Sequence, residues 1–349
     1  MKKINIAVIY GGTSNEHEVS VDSGSTVLNN LNRTKYNIIP IYISKDGKWY
    51  HFTGSDIKNI NTQSLNQIVL SLSRDKENLL VLNNGTYTTL SVDIIFPALL
   101  GKCGEDGTVQ GLFEIAGIPY VGCGVLSSSI SMDKVFTNDV ISLQNIPQPP
   151  YMSYKKGDKI DTKKIIENLG LPCFIKPVRS GSSVGISKAK TEEELQIAIG
   201  LAFEHDNKII FEKNIVGREL KCAVLGTGED DTVASYPGET IFSKAEFYDY
   251  NAKYSDPSTR KQIPADVDEN ITEQVKSLSI KIFKTLGCVG LARVDFFLEE
   301  GTNNILFNEI NTFPAFTEVS MYPQLCKHMG YPIEALLDKL IDIGLKSER

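Results

Sequence analysis

Two short stretches near the C-terminus, Ala-Arg-Val-Asp-Phe at 292–296 and Phe-Asn-Glu-Ile-Asn at 307–311, set charged or amide side chains at every second position inside apolar runs. Strand side chains alternate faces, so Arg293 and Asp295 point one way, and Glu309 and Asn311 do the same on what reads as the neighbouring strand. Two carboxylates and an amide oxygen on one sheet face repel one another unless a hard cation lies among them. Oxygen-only donors suit magnesium, and such a site keeps positions open that nucleotide phosphates normally fill. The spacing therefore predicts an enzyme that works on a metal-bound nucleotide.

Other stretches carry chemistry beside a blander reading. Arg-Ser-Gly-Ser-Ser-Val-Gly at 179–185 follows an apolar strand ending at Lys176. It is either a hairpin turn or a loop whose glycines let backbone N–H groups approach phosphates, with Lys176 as the adjacent cation. At 11–20, GGTSNEHEVS has the form of a turn into a helix N-terminus, where Glu16 is a helix-start residue or the partner of a substrate ammonium. FYDYNAKY at 247–254 sits in a long polar segment and reads as a surface loop or as an aromatic lid from which Lys253 reaches a terminal phosphate. Glu212 and Lys213 end an apolar strand where an interdomain hinge would offer polar edge groups to an adenine. His17, His51, His205 and His328 share no metal spacing.

The elements that must position these residues alternate. Apolar runs at 4–10, 38–44, 93–98 and 118–121, with a helical stretch at 112–116, predict an open parallel sheet that binds ligands beyond its carboxyl ends. Residues 47–85 read as a polar, irregular insertion. A helix over 133–143 stops at Pro-Gln-Pro-Pro, 147–150, and a smaller α/β unit follows, with strands at 173–176 and 209–213 and a helix at 191–205 behind a Thr-Glu-Glu-Glu cap. Strands at 219–226, 234–242, 290–298 and 305–309 and a helix at 267–286 complete the chain, with two helices after Tyr322.

Length and composition bound the rest. The 349 residues predict two or three domains, and 41% hydrophobic with 23% charged residues exclude disorder. No apolar run approaches the ~20 residues of a membrane span, and the one at the N-terminus ends in a glycine turn rather than a cleavage site. Six scattered cysteines predict reduced thiols and a cytoplasmic location. A net charge of −7 gives no footprint for nucleic acid.

Taken in order, GGTSNEHEVS, GEDGTVQG at 104–111, MDK at 132–134, IKPVRSGSSVGISK at 175–188, FYDYNAKY, RVDFF and FNEINTFPAFT resemble the D-alanine–D-alanine ligase family of the ATP-grasp superfamily, which includes resistance ligases that make D-alanyl-D-serine or D-alanyl-D-lactate. The resemblance runs along nearly the whole chain. It implies a three-domain α/β ATP-grasp architecture: an N-terminal open parallel sheet for substrate at 1–124, a central lobe at 125–212 and a C-terminal lobe at 213–349 with the metal site and lid, the two α+β lobes clasping ATP. It further implies that Glu16 binds the first D-alanine's ammonium in a triad with Ser182 and Tyr254. Lys134 and Lys176 would hold ATP phosphates, Lys253 the γ-phosphate, and Glu212 and Glu219 the adenine and ribose, next to the Lys213 already read at the hinge. Arg293 would stabilise the acyl phosphate and tetrahedral intermediate, and Asp295, Glu309 and Asn311 would ligate two magnesium or manganese ions. Ser320 and the backbone at Met321 would hold the second substrate's carboxylate. D-alanine and ATP would be the substrates, and a homodimer the assembly.

This chain departs from the family pattern at Leu100, where many members carry histidine, at Ala315 in place of a glycine, and at Glu318-Val319 in place of a small or polar pair. Alanine keeps the N–H offered to the oxyanion but restricts φ. Met321 stands where many D-alanine–D-alanine ligases have leucine or methionine and several resistance ligases have arginine, so the resemblance favours D-alanine as second substrate. Two alternatives are carried forward: a D-alanine–D-serine ligase, and a nucleotide-binding regulatory protein without turnover. The first strand lacks the G-x-G-x-x-G of a dehydrogenase.

Overall fold

The structure, a computed structural model, describes residues 2–54, 56–74, 77–181, 184–241 and 260–347. Its first strand, β1 (Ile4–Gly11), is apolar and buried from Ile6 onward because it is central. It pairs in parallel with β2 (Tyr36–Ile43) on one side and β7 (Ile94–Ala98) on the other. Helix α1 (His17–Asn30) packs against this sheet. The parallel part of the sheet stops at these three strands. Between β2 and β7 the segment expected to be irregular, 47–85, forms β3 (Trp49–His51), β4 (Asn66–Leu70) and β5 (Leu79–Asn83); with β6 (Thr86–Leu90), which follows it, they extend the sheet by antiparallel pairs. These strands are short and carry many exposed residues, so their hydrophobic alternation is faint and pairing alone defines them. The run at 118–121 forms a single bridge, Ile95 to Tyr120.

Helices α2 (Thr108–Ala116), α3 (Val125–Met132) and α4 (Lys134–Ser142) lead to a second, four-stranded antiparallel sheet. Its strands are β8 (Tyr151–Lys155), β9 (Cys173–Pro177), β10 (Ser187–Ala189) and β11 (Lys208–Lys213), in the order β10-β9-β11-β8. Helices α5 (Thr162–Leu169) and α6 (Glu192–His205) cover one face, where Ile165, Leu195 and Ala198 meet Cys173, Ile175 and Phe211. The alternate residues Phe174, Lys176 and Glu212 are left for the other face.

The third sheet contains β12 (Gly217–Gly226), β13 (Val233–Ala234), β14 (Gly238–Ile241), β15 (Arg260–Gln262), β16 (Gly290–Glu299) and β17 (Ile305–Asn311), with the path β15-β14-β12-β16-β17 and β13 beside β12. Helix α7 (Glu269–Thr285) buries Val275, Ile282 and Phe283 against Leu220, Cys222, Val294 and Phe296. Helices α8 (Met321–His328) and α9 (Ile333–Lys346) return to the first sheet, where Leu336, Leu340 and Ile341 share a core with Ile6, Val8 and Phe96. All six cysteines are free.

Candidate functional site

With α7 on one face of the third sheet, the opposite face holds the polar residues. Lys221 on β12 stands opposite Asp295 on β16, and Asp295 stands opposite Glu309 on β17, so one row crosses three strands as cation, anion and anion. Arg293 faces Asn311 in the next row. A bulge follows Asp295: the ladder passes from Asp295–Glu309 to Phe296–Phe307, which leaves Asn308 as the extra residue. Bulges re-aim side chains, and here Asn308 and Glu309 both line the cavity.

Arg293 holds the fully buried Asp295 through two hydrogen bonds, Nε to Oδ1 at 2.7 Å and Nη2 to Oδ2 at 2.8 Å. Its Nη2 lies 4.0 Å from Glu309. Burial works against the guanidinium's charge, but the attraction of Asp295, with Glu309 and Glu219 adding, holds Arg293 above its ordinary value. Lys221 Nζ lies 3.6 Å from Glu219 and 4.0 Å from Asp295. The buried Nδ2 of Asn311 has no hydrogen-bond partner among the described residues. Such an amide can turn its oxygen outward, so the donor set of two carboxylates and an amide fits a hard divalent cation. Among the described residues no three His, Cys, Asp or Glu side chains cluster as a metal site.

The same cavity is lined by Glu16 and Glu105 from the first domain, Lys134 and Gly181 from the middle of the chain, and Ser320 and Met321 beyond β17. Glu16 sits at the N-terminus of α1 without capping it, and a Cβ built on Gly101 would lie 2.7 Å from its Oε2, so glycine is what lets this loop approach the carboxylate. Ser14 ties the two loops by donating from Oγ to the Leu100 carbonyl at 2.7 Å. Ser320 is the N-cap residue of α8, its side chain bonded to Thr317 rather than capping, which leaves the helix N–H groups to the cavity.

On the second sheet Lys176 and Glu212 form a tight ion pair on the face opposite α5 and α6, and neither lines the cavity. Lys134, the first residue of α4, donates from Nζ to the Ser180 carbonyl at 2.8 Å. Glu219 accepts weakly from Asn308, and Lys213 is exposed at the end of β11. Ser182, Lys253, Tyr254 and the segment 247–254 lie outside the described residues.

Three charged residues of the cavity were not singled out from sequence. Glu105 accepts the Gly101 N–H at 2.6 Å and, through burial and the neighbouring Glu16 carboxylate, is pushed up to about 8. Its signal was the Gly-Glu-Asp-Gly turn at 104–107, a carboxylate set between glycines. Lys221 and Lys261 carried no signal, because ordinary strand sequence surrounds them.

Two antiparallel-rich lobes facing one another across a cleft lined by lysines, with a metal-suited carboxylate pair on the second lobe, define an ATP-grasp enzyme. The chain belongs to the D-alanine–D-alanine ligase family: the family profile "D-ala D-ala ligase N-terminus" matches residues 5–123 and "D-ala D-ala ligase C-terminus" matches residues 140–342. It is 45% identical to the D-alanine–D-alanine ligase of Caldicellulosiruptor bescii, over 100% of this chain and 97% of that one. Identity is also 45% with D-alanine–D-alanine ligase B of Clostridium tetani, over 100% and 95%. Among solved structures, the VanG D-Ala:D-Ser ligase of Enterococcus faecalis matches with a TM-score of 0.89 and 43% identity, covering 98% of this chain and 99% of that one. The D-alanine–D-alanine ligase of Coxiella burnetii matches at 0.87 and 34%, covering 99% and 94%.

Proposed function

We propose that this protein uses ATP to join two D-alanines into D-alanyl-D-alanine through a D-alanyl phosphate, supplying a peptidoglycan precursor. The observation that carries the reading is the row Lys221–Asp295–Glu309 with Arg293 and Asn311 beside it: Asp295 is buried beneath Arg293, and the other four line the cavity together with Glu16 and Ser320. A carboxylate is a poor electrophile, so phosphorylation must precede attack by the second amine. Glu16 receives the first ammonium, with Ser182 and Tyr254 as its partners. The N-terminus of α8 at Ser320 and Met321 receives the second carboxylate. Lys134, Lys176 and Lys253 hold phosphates, and Glu212, Lys213 and Glu219 border the adenosine. Arg293 stabilises the oxyanion of the tetrahedral intermediate.

Asp295, Glu309 and Asn311 are the residues that would hold two magnesium ions, or manganese, whose chemistry is to neutralise charge on the transferring phosphoryl group. The division into 1–124, 125–212 and 213–349, a homodimeric assembly and a cytoplasmic location complete the proposal. Among the described residues no helix is long and apolar enough to cross a membrane.

One second reading has support: the likeness to a D-Ala:D-Ser ligase, together with Glu318 next to the Ser320 loop, is compatible with D-serine as second substrate. Purified protein is supplied with ATP, magnesium and a mixture of D-alanine and D-serine, and the dipeptide is weighed by mass spectrometry while ADP is counted. D-alanyl-D-alanine is the expected product. D-alanyl-D-serine would transfer the assignment to the second reading, and nucleotide binding without D-alanine-dependent ADP would refute both in favour of a regulatory protein.

A further inference from the structure

On the cavity face of the third sheet the charges do not balance by pairs. Arg293 is committed to Asp295, and Lys221 lies within 4.0 Å of both Glu219 and Asp295. Lys261 is different. It extends from β15, where its register partner is Thr240 on β14, and both residues line the same cavity as Lys221 and Arg293. The Lys261 side chain is half-buried and makes no hydrogen bond or ion pair with any described residue, its backbone alone pairing with β14. Burial and the like charges of Lys221 and Arg293 lower its hold on a proton. A half-buried ammonium beside two like charges favours the entry of an anion between them.

We propose that Lys261 is a further phosphoryl-binding residue, whose ammonium contacts the terminal phosphoryl group of the nucleotide from the β15 side while Arg293 approaches it from β16. The inference rests on the reading of this cavity as a nucleotide-dependent ligase site. A phosphoryl group fits better than a substrate carboxylate. It carries the larger charge, it belongs beside the Asp295, Glu309 and Asn311 donors that suit its metal, and the helix N-terminus at Ser320 already serves a carboxylate.

The test compares Lys261→Gln and Lys261→Arg with the unaltered protein by titration calorimetry, using a non-hydrolysable ATP analogue and ADP, each with magnesium. Lys261→Gln is expected to weaken the triphosphate analogue about tenfold and leave ADP within about twofold, with Lys261→Arg close to unaltered protein. Equal weakening of both nucleotides, or of neither, would overturn the assignment. So would a rise in KM for D-alanine alone, which would place a carboxylate there instead. Thermal unfolding without nucleotide separates a folding defect, and the arginine variant keeps the contrast readable if glutamine unfolds the protein. If unaltered protein bound both nucleotides yet formed no dipeptide, the ligase reading would fail while the Lys261 contrast still stood or fell on its own.

Discussion

Arg293 and Asp295, two residues apart on β16, lie on one face and grip each other through both guanidinium edge nitrogens while Asp295 is wholly buried. Glu309, across the strand pair, is a third exposed and 4.0 Å from Arg293. The two carboxylates therefore answer differently to neutralisation. Asp295→Asn leaves a buried guanidinium without its counter-charge and is expected to cost about 3 kcal/mol of stability in urea unfolding. Glu309→Gln is expected to stay within about 0.5 kcal/mol of unaltered protein. Both should abolish D-alanine-dependent ADP release. Activity surviving in Glu309→Gln would remove that carboxylate from the metal set.

Glu105 gives the site a pH dependence with a definite sign. Burial first, and the Glu16 carboxylate second, push it up to about 8 from an ordinary 4.5, while the Gly101 N–H and Arg293 oppose the shift and Glu309 adds to it. Between those values the folded protein holds a proton that the unfolded chain has released. The stability it contributes is thus full below about 4.5 and is lost as pH rises through about 8. A substrate ammonium beside Glu16 and Glu105 favours the charged carboxylate, so D-alanine binding near pH 7 is expected to release up to about one proton. Calorimetry in buffers of different ionisation heat measures this release. It should vanish in Glu105→Gln, and persistence there would assign the proton to another group.

How much of this was legible in sequence follows from the range of each signal. The alternation in RVDFF and FNEIN is local, and burying one face forces it, so the shared face of Arg293, Asp295, Glu309 and Asn311 was readable. The bulge at Asn308 was not, because only the partner strand shows which residue is extra. Lys221 and Lys261 become cavity residues through β12–β16 and β14–β15 pairings that no short window contains. Residues 47–85 hid three antiparallel strands, with β6 just beyond them, for a related reason: strands toward the sheet edge, such as β6, are mostly exposed and lose their apolar rhythm. Cap residues were legible to within a position. Thr191 caps α6 through Oγ to the Glu194 N–H at 3.2 Å, as the Thr-Glu-Glu-Glu sequence implies.

Asp133 joins capping to function in a way that two substitutions can separate. Its carboxylate accepts from the N–H groups of Val135 at 3.1 Å and Phe136 at 3.0 Å, fixing the first turn of α4, whose first residue is Lys134. It also lies 3.5 Å from Lys208. Asp133→Ala removes the cap and is expected to cost about 1–2 kcal/mol. Because Lys134 rides on that turn, KM for ATP should rise several-fold with little change in KM for D-alanine. Asp133→Asn keeps an oxygen acceptor at the cap and loses only the charge facing Lys208, so both stability and KM for ATP should remain close to those of unaltered protein. Equal effects of the two variants would show that the ion pair to Lys208, and not the cap, sets the position of Lys134.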